Sequence, residues 1–366
     1  MQTPPLAISH HALQHGGGFE RYAMTLVRGL HARGVRPVFI ARAFDTALPE
    51  YGWVTPIRLG VTGVPGKLRD LFFDWRIGRV KRRMGNKLGP LIACNTTRWA
   101  DIAVCGGTHP GYLAAMGKTP RRSDHWKIAL ERAHFESSRV IVAHSALMRD
   151  EIVRHYGIAP GKVVLLYPPT DTERFCAVDD ERRASLRAQL GLPNDRAVFL
   201  LASTGHRRKG LDLLAEFFGA TPLPVTLVVA GRPTGGTLPN VRYLGYRTDI
   251  ENVYRAVDFT VLASAYEPFG LVGIESVLCG TPVLLADGVG CAEVIAPPAG
   301  LCFGPGPGLE RAVRGAVAGW RAGNARLADP LGCLGYDPRV ATHVAALLAL
   351  AHPAAVLQLR DMMATT

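Results

Sequence analysis

The stretch Glu267-Pro268-Phe269-Gly270-Leu271-Val272-Gly273-Ile274-Glu275 places two carboxylates eight residues apart, with a Pro-Phe-Gly turn between them. The turn leads into a predicted helix, and the backbone N–H groups at a helix N-terminus favour negative charge. The carboxylates can accept hydrogen bonds from vicinal hydroxyls, as an acidic residue does with a nucleotide ribose in other α/β folds. The pattern therefore predicts a site for a ligand that has both features, such as a sugar nucleotide.

On both sides of this stretch, short apolar runs alternate with helical patterns, which predicts βαβ units and parallel sheets. The predicted strands of the first half are 6–9, 35–41, 102–105, 140–143 and 163–166, and those of the second half are 197–202, 224–230, 241–244, 259–262, 282–285 and 301–303. Adjacent prolines at Pro168 and Pro169 interrupt the pattern and predict a domain boundary. We expect domains over 1–168 and 169–340, followed by helices over 341–366 that pack back on the first domain.

The bulk composition narrows the classes of partner. The chain has 366 residues, is 48% hydrophobic and carries a formal net charge of +12, which favours an acidic partner. Nucleic acid is the weakest candidate because no recognised binding motif accompanies the charge.

The seven cysteines are scattered and never spaced C-x-x-C, so we expect neither a zinc site nor a disulfide framework. The first twelve residues do not form a signal peptide, which favours a cytoplasmic protein.

A glycine loop, Gly16-Gly17-Gly18, separates the first predicted strand from a helix. Glycines allow the backbone to approach a phosphate closely, with the helix dipole behind it. The loop matches neither the dinucleotide fingerprint nor a P-loop. It is therefore equally consistent with a phosphate contact and with a tight structural turn.

A basic loop, His206-Arg207-Arg208-Lys209-Gly210, follows the predicted strand 197–202 and opens a helix. Cations at a helix start oppose the dipole, so this arrangement is unfavourable unless an anion is present. The functional interpretation is a clamp on a leaving diphosphate, and the alternative is a solvated basic loop.

His109 lies just past the predicted strand 102–105, at the edge where α/β sheets bind ligands. A structural hydrogen-bonding role is the alternative interpretation.

Basic residues are mixed with tryptophan and phenylalanine in two segments, 67–87 and 118–127. This mixture suits contact with an anionic membrane surface. It also suits a phosphorylated acceptor or an ordinary solvated basic face.

Together these motifs resemble the family 4 glycosyltransferases of the GT-B fold, especially bacterial lipopolysaccharide-core enzymes. The resemblance covers most of the chain, and its motifs occur in the family's order. They are the glycine loop with Phe19-Glu20-Arg21, the segments 133–135 and 140–145, the linker 167–175, Arg208-Lys209-Gly210, the pair Glu267 and Glu275, and the segment 290–295.

The resemblance implies an α/β protein of GT-B fold, with two Rossmann-like domains whose parallel sheets face an interdomain cleft. It implies a retaining, metal-independent transfer from a nucleotide-sugar donor to a glycan or glycolipid acceptor, with no cofactor. By position, the catalytic residues would be His109, Arg208, Lys209 and Glu267. The donor-binding residues would be Gly17, Gly18, Phe269, Gly270, Leu271 and Glu275.

Within that set, Glu275 would bind the donor ribose, Glu267 would face the donor sugar, and Arg208 and Lys209 would neutralise the diphosphate. Asp101 is the second candidate for the role of His109. The resemblance also implies a location at the cytoplasmic face of the inner membrane. The alternatives are a nucleotide-sugar epimerase or a non-catalytic sugar-nucleotide binder on the same fold.

Overall fold

The computed structural model describes residues 4–232 and 238–351. They form two compact units: unit 1 comprises 4–169 with 338–351, and unit 2 comprises 170–232 with 238–337. Each unit is built around one parallel sheet. The prediction of two Rossmann-like α/β domains in succession is therefore confirmed.

Unit 1 contains a seven-stranded parallel sheet of order β5-β3-β1-β6-β7-β8-β9, and β2 pairs with β4 outside it. Its strands are β1 (Ala7–Ser9), β2 (Ala12–Leu13), β3 (Val38–Ala41), β4 (Ala43–Phe44), β5 (Thr55–Arg58), β6 (Leu91–Ala93), β7 (Ile102–Cys105), β8 (Val140–Ala143) and β9 (Val163–Leu165). Its helices before the linker are α1 (Gly18–His31), α2 (Pro49–Gly52), α3 (Arg69–Met84), α4 (His109–Ala115), α5 (Arg122–Ser137) and α6 (Ala146–Tyr156).

Unit 2 contains a six-stranded parallel sheet of order β12-β11-β10-β13-β14-β15. Its strands are β10 (Ala197–Ser203), β11 (Val225–Gly231), β12 (Val241–Gly245), β13 (Phe259–Leu262), β14 (Val283–Ala286) and β15 (Gly300–Phe303). Its helices are α7 (Asp180–Gln189), α8 (Leu211–Ala220), α9 (Ile250–Ala256), α10 (Leu271–Leu278) and α11 (Gly308–Arg321). Consecutive residues of β10, β11 and β13 are buried, so both faces of the sheet are covered, as expected for parallel strands.

The order of the strands indicates the position along each sheet at which a ligand would bind. In unit 2 the chain runs outward from β10 to β12 on one side and from β13 to β15 on the other. The switch point therefore lies between β10 and β13, and ligands bind beyond the carboxyl ends of strands at such a point. In unit 1 the corresponding point lies between β1 and β6.

The last helix, α12 (Val340–Ala351), packs on α1 in unit 1. Val344, Leu347 and Leu350 belong to the same buried cluster as the apolar face of α1. The hydroxyl of Tyr22 and Nε2 of His343 form a hydrogen bond of 2.9 Å. The helix α12 accounts for residues 341–351 of the helical segment predicted at 341–366. Residues 352–366 lie outside the described residues.

Gly29 lets α1 and α12 approach each other closely, because it has no side chain. A Cβ added there would lie 2.7 Å from methyl carbons of both Val340 and Val344. We expect Gly29→Ala to lower the free energy of unfolding by about 1–3 kcal/mol, because overpacking outweighs the gain in helix propensity.

Urea denaturation checks this expectation, with Gly315→Ala in α11 as the matched control. Gly315 is exposed and has no atom near an added Cβ, so its replacement should raise stability by up to about 1 kcal/mol. Equal effects of the two substitutions would contradict the packing account.

Several boundaries differ from the predicted ones for identifiable reasons. The strand predicted at 35–41 begins at Val38, since Pro37 has no N–H to donate. The sequence did not reveal β5 or β6: β5 contains Pro56, which is tolerated because β5 is an edge strand. The central strand β6 has only three residues.

Candidate active site

Glu267 and the two cations of the basic loop meet at the switch point of unit 2. The basic loop follows β10, and Glu267 follows β13. Glu267 Oε2 accepts from Arg208 Nη1 at 2.9 Å and lies 2.9 Å from Lys209 Nζ. Ser264 Oγ donates to the same oxygen at 3.2 Å. The predicted catalytic residues of the second half are therefore brought together around one carboxylate.

The electrostatics of this cluster favour an ionised carboxylate and further negative charge. Burial alone would raise the pKa of Glu267, but Lys209 and Arg208 outweigh it and hold the pKa below its usual value of 4.5. Lys209 is buried, so its charge is poorly screened by water. Two cations against one carboxylate leave one excess positive charge, which can attract an anionic ligand.

The turn between the two glutamates has a backbone that only glycine fits well. Gly270 is the N-cap of α10 and adopts a left-handed conformation with φ 96°. The loop after β14 braces the turn: Gly290 N donates to Glu267 O at 3.0 Å, and Cys291 N donates to Phe269 O at 2.6 Å. Gly270 and Leu271 thus lie at the N-terminus of α10, where the dipole favours negative charge.

The basic loop is held in place by contacts with the residues that follow β13. Gly210 adopts φ +72°, and an added Cβ would lie 2.2 Å from the carbonyl oxygen of Ala263. Ala265 N donates to Arg208 O at 2.9 Å. These contacts hold Arg208 and Lys209 immediately before α8 and beside Glu267.

Glu275 lies within α10 and is 3% exposed. The hydroxyl of Tyr254 in α9 donates to Glu275 Oε2 at 3.1 Å. The carboxylate is thus positioned by a neighbouring helix, and its predicted contact with a ribose stays a prediction.

The glycine loop of unit 1 is covered by Glu20, the third residue of α1. A Cβ added at Gly16 would lie 2.8 Å from Glu20 Cγ, and one added at Gly17 would lie 3.1 Å from Glu20 Oε2. Gly17 is the N-cap of α1, and Gly18 is its first residue. The Glu20 side chain therefore lies against the glycines at the helix N-terminus where the sequence predicts a phosphate.

His109 begins α4, and α5 fixes it at two points. Its backbone N–H donates to Glu131 Oε2 at 3.0 Å, and its Nε2 lies 2.8 Å from Asp124 Oδ1. The loop before it is close to the glycine loop, because a Cβ added at Gly106 would lie 2.6 Å from the ring of Phe19. Within unit 1, the structure thus brings His109 and the glycine loop to the same edge of the sheet.

Asp101 lies at the opposite end of β7, before the strand begins. Its Oδ2 accepts from Lys81 Nζ and from Leu91 N, each at 2.8 Å. These contacts give Asp101 a structural role in joining α3 to the sheet, and we do not retain it as a candidate.

Known protein families and a curated relative match most of this chain in sequence. Residues 16–174 match the family described as Glycosyltransferase Family 4, and residues 182–315 match the one described as Glycosyl transferases group 1. A probable transglycosylase of Burkholderia thailandensis is 49% identical over 355 residues, covering 96% of this chain and 97% of that protein. The chain belongs to glycosyltransferase family 4.

More distant relatives match part of this glycosyltransferase. The D-inositol 3-phosphate glycosyltransferase of Streptomyces bingchenggensis is 33% identical over 172 residues, which cover 40% of this chain and 37% of that protein.

Solved structures match almost the whole chain. WaaG, a glycosyltransferase involved in lipopolysaccharide biosynthesis, superposes with a TM-score of 0.74 at 18% identity, covering 96% of this chain and 99% of that chain. Anabaena HepE in complex with UDP and glucose has a TM-score of 0.68 at 17% identity, covering 99% of this chain and 98% of that chain. At these identities the likeness establishes the fold alone, which is GT-B.

Several residues that contact the candidate site residues are not predicted by the sequence. Ser264 and Tyr254 support the two glutamates, and Glu20 and Asp124 contact the unit 1 candidates. Glu20 had a local signal, since it stands at the third helical position after a glycine N-cap. Tyr254 and Asp124 are 21 and 15 residues from their partners, where sequence spacing gives no signal. Ser264 precedes Glu267 in the same loop, which has no periodic pattern to mark it.

Proposed function

We propose that this glycosyltransferase moves a sugar, with retention of configuration and without a metal ion, from a nucleotide-sugar donor to a lipid-linked glycan acceptor such as a lipopolysaccharide core. The observation that carries the proposal is the meeting of Arg208 and Lys209 on Glu267 at the switch point of unit 2. That cluster has the charge and position to hold a diphosphate leaving group.

In the proposed reaction, the bond from the anomeric carbon to the diphosphate oxygen breaks, and the nucleoside diphosphate leaves with added negative charge. The acceptor oxygen bonds to the anomeric carbon from the same face, and its proton passes to the leaving phosphate oxygen. Arg208, Lys209 and the amides of Phe269, Gly270 and Leu271 would stabilise the departing charge, which grows most in the transition state.

Glu267 has a double role in this proposal. Its carboxylate contacts both cations. With the donor bound, the diphosphate would share those cations, and Glu267 would accept a hydrogen bond from the donor sugar. Glu275, held by Tyr254, would bind the ribose hydroxyls.

For unit 1, we propose that Gly17 and Gly18 contact the diphosphate and that His109 approaches the donor sugar. The support is their place at the carboxyl edge of the sheet, together with the fixed backbone of His109. Glu20 would have to leave the glycine loop when a phosphate approaches, because like charges repel.

We propose that the enzyme works at the cytoplasmic face of the inner membrane. Among the described residues, no helix has the length and apolar character that crossing a membrane requires. Exposed Trp75 and Trp126 stand beside Lys and Arg residues of segments 67–87 and 118–127, which suits contact with anionic lipid.

Thermal-shift measurements with UDP-, GDP- and ADP-sugars test the donor site. A nucleotide sugar that binds the folded state should raise Tm, by an amount that grows with its concentration. Glu275→Gln should lose most of that shift but keep most of the shift from inorganic pyrophosphate, which has no ribose. An equal loss for both ligands would contradict the ribose assignment, and no shift with any nucleotide sugar would contradict the donor site.

A further inference from the structure

A cavity of about 340 Å³ opens in unit 1 between the start of α3 and the middle of α5. Its lining is apolar except for one arginine: Leu68, Leu71, Arg98, Trp126, Ala129, Leu130 and Ala133. The volume is at the lower end of the range for small-molecule pockets, so it suits part of a ligand. None of the proposed donor or catalytic residues lines it.

The arginine does not make the cavity a phosphate site. Arg98 donates from Nε and Nη2 to Asp74 Oδ2 at 2.9 and 2.7 Å, and Asp74 is fully buried. The backbone N–H of Arg98 donates to Asp74 Oδ1 at 2.8 Å. Because its charge is neutralised by Asp74, the part of a ligand that enters this cavity should be apolar.

The mouth of the cavity is exposed and hydrophobic. Leu68, Leu71 and Trp126 are 40%, 36% and 50% exposed, and all three line the same cavity, so they form one exposed apolar patch. Exposed apolar surface around an apolar cavity marks a place where a hydrophobic ligand or surface binds.

Four cations flank this mouth. Lys67 and Arg69 adjoin Leu68, and Arg122 and Lys127 accompany Trp126 on α5. Of the neighbouring acids, Asp70 pairs with Arg42 and Asp74 pairs with Arg98. Asp124 and Glu131 interact with Lys127, so the four cations still outnumber the acids that face them. The rim therefore attracts an anionic group, while the interior accepts an apolar one.

We propose that this cavity binds one hydrocarbon chain of an anionic membrane lipid, with the lipid headgroup held by the cations at the rim. This inference rests on the proposed function at a membrane and gives that contact a defined site. The bound chain would cover Leu68, Leu71 and Trp126, which are otherwise exposed around Arg98. The charge of Arg98 is already neutralised by Asp74.

Tryptophan quenching by brominated lipid chains tests the site directly. Phosphatidylglycerol vesicles with brominated chains should quench the wild-type fluorescence, and Trp126→Phe should remove more than half of that quenching. Trp320→Phe is the control, because Trp320 lies in α11 of unit 2, outside the cavity and both basic segments, and this variant should keep most of the quenching.

A cavity-filling variant separates chain binding from simple surface contact. Ala133→Leu should lose the Trp126 quenching yet still sediment with the vesicles, since the cations remain. Ala114→Leu, at an exposed position outside the cavity, should behave like wild type. Full quenching in Ala133→Leu would overturn the proposal. Equal quenching by brominated phosphatidylcholine, or a wild-type dimer that buries Trp126, would also overturn it.

The outcome is independent of the transfer reaction, because quenching needs neither donor nor acceptor. Ala133→Leu should also keep wild-type turnover with an acceptor that lacks a hydrocarbon chain. Quenching without any nucleotide-sugar turnover would mean that the proposed function fails and the lipid site stands.

Discussion

Replacing Lys209 with methionine should lower kcat by about 10²–10³-fold while the protein stays folded. Lys209 Nζ lies 2.9 Å from Glu267 Oε2, and its side chain is 10% exposed. In the proposed reaction this charge acts most strongly on the departing diphosphate, so its loss should affect kcat more than donor binding. Methionine keeps most of the buried apolar stem and removes only the ammonium group.

Arg207→Met is the matched control for this experiment. Arg207 is exposed, carries the same charge and stands two residues away in the same loop. It should turn over at the wild-type rate. If Lys209→Met, shown by its Tm to be folded, retains wild-type kcat, the clamp role is wrong.

Glu267→Gln should produce the second large effect, on both stability and activity. Removing the carboxylate leaves Arg208 and buried Lys209 facing each other with no compensating charge. We expect the free energy of unfolding to fall by about 3 kcal/mol at pH 7, near the lower end for a broken buried pair because Arg208 is partly exposed. Turnover should fall as well, because the sugar loses its proposed hydrogen-bond acceptor.

The stability difference should depend on pH with a defined sign. The cations hold the pKa of Glu267 below its usual value of 4.5, so the ionised carboxylate stabilises the folded state. That contribution is fully present above pH 4.5 and is lost as the pH falls through the lowered folded-state pKa. The difference between wild type and Glu267→Gln should thus be constant from pH 7 to 5.5 and shrink at more acidic pH.

Urea denaturation of both proteins over this pH range provides the measurement. Inorganic pyrophosphate should raise the Tm of Glu267→Gln more than that of wild type, because an added anion replaces the missing charge. A stability difference that is independent of pH down to pH 3 would contradict the assigned ion pairs.

Local signals in the sequence predicted much of the architecture. The boundaries of β7, β8 and β13 are as predicted, because each is a short apolar run bounded by polar or turn residues. The N-cap of α6 is Ser145, whose hydroxyl accepts from Met148 N at 3.1 Å. The order of strands and helices then sufficed to predict two successive parallel domains.

The remaining features depend on contacts between residues that are far apart in the chain. Gly29 is an ordinary helix residue until α12 packs against it some 310 residues later. The pairing of His109 with Asp124 also requires three-dimensional positions, because 15 residues separate the two side chains in the chain. The apolar cavity likewise joins residues from two helices and a loop, which no periodicity in the sequence connects.

The anomeric configuration of the first product decides whether this protein is a retaining transferase. The enzyme would be incubated with the nucleotide sugar that gives the largest thermal shift and with a lipid-linked acceptor, and the new glycosidic bond would be read by NMR. We expect one nucleoside diphosphate to be released per bond formed, with the configuration of the donor retained. An inverted product, or isomerised sugar without a modified acceptor, would contradict this expectation.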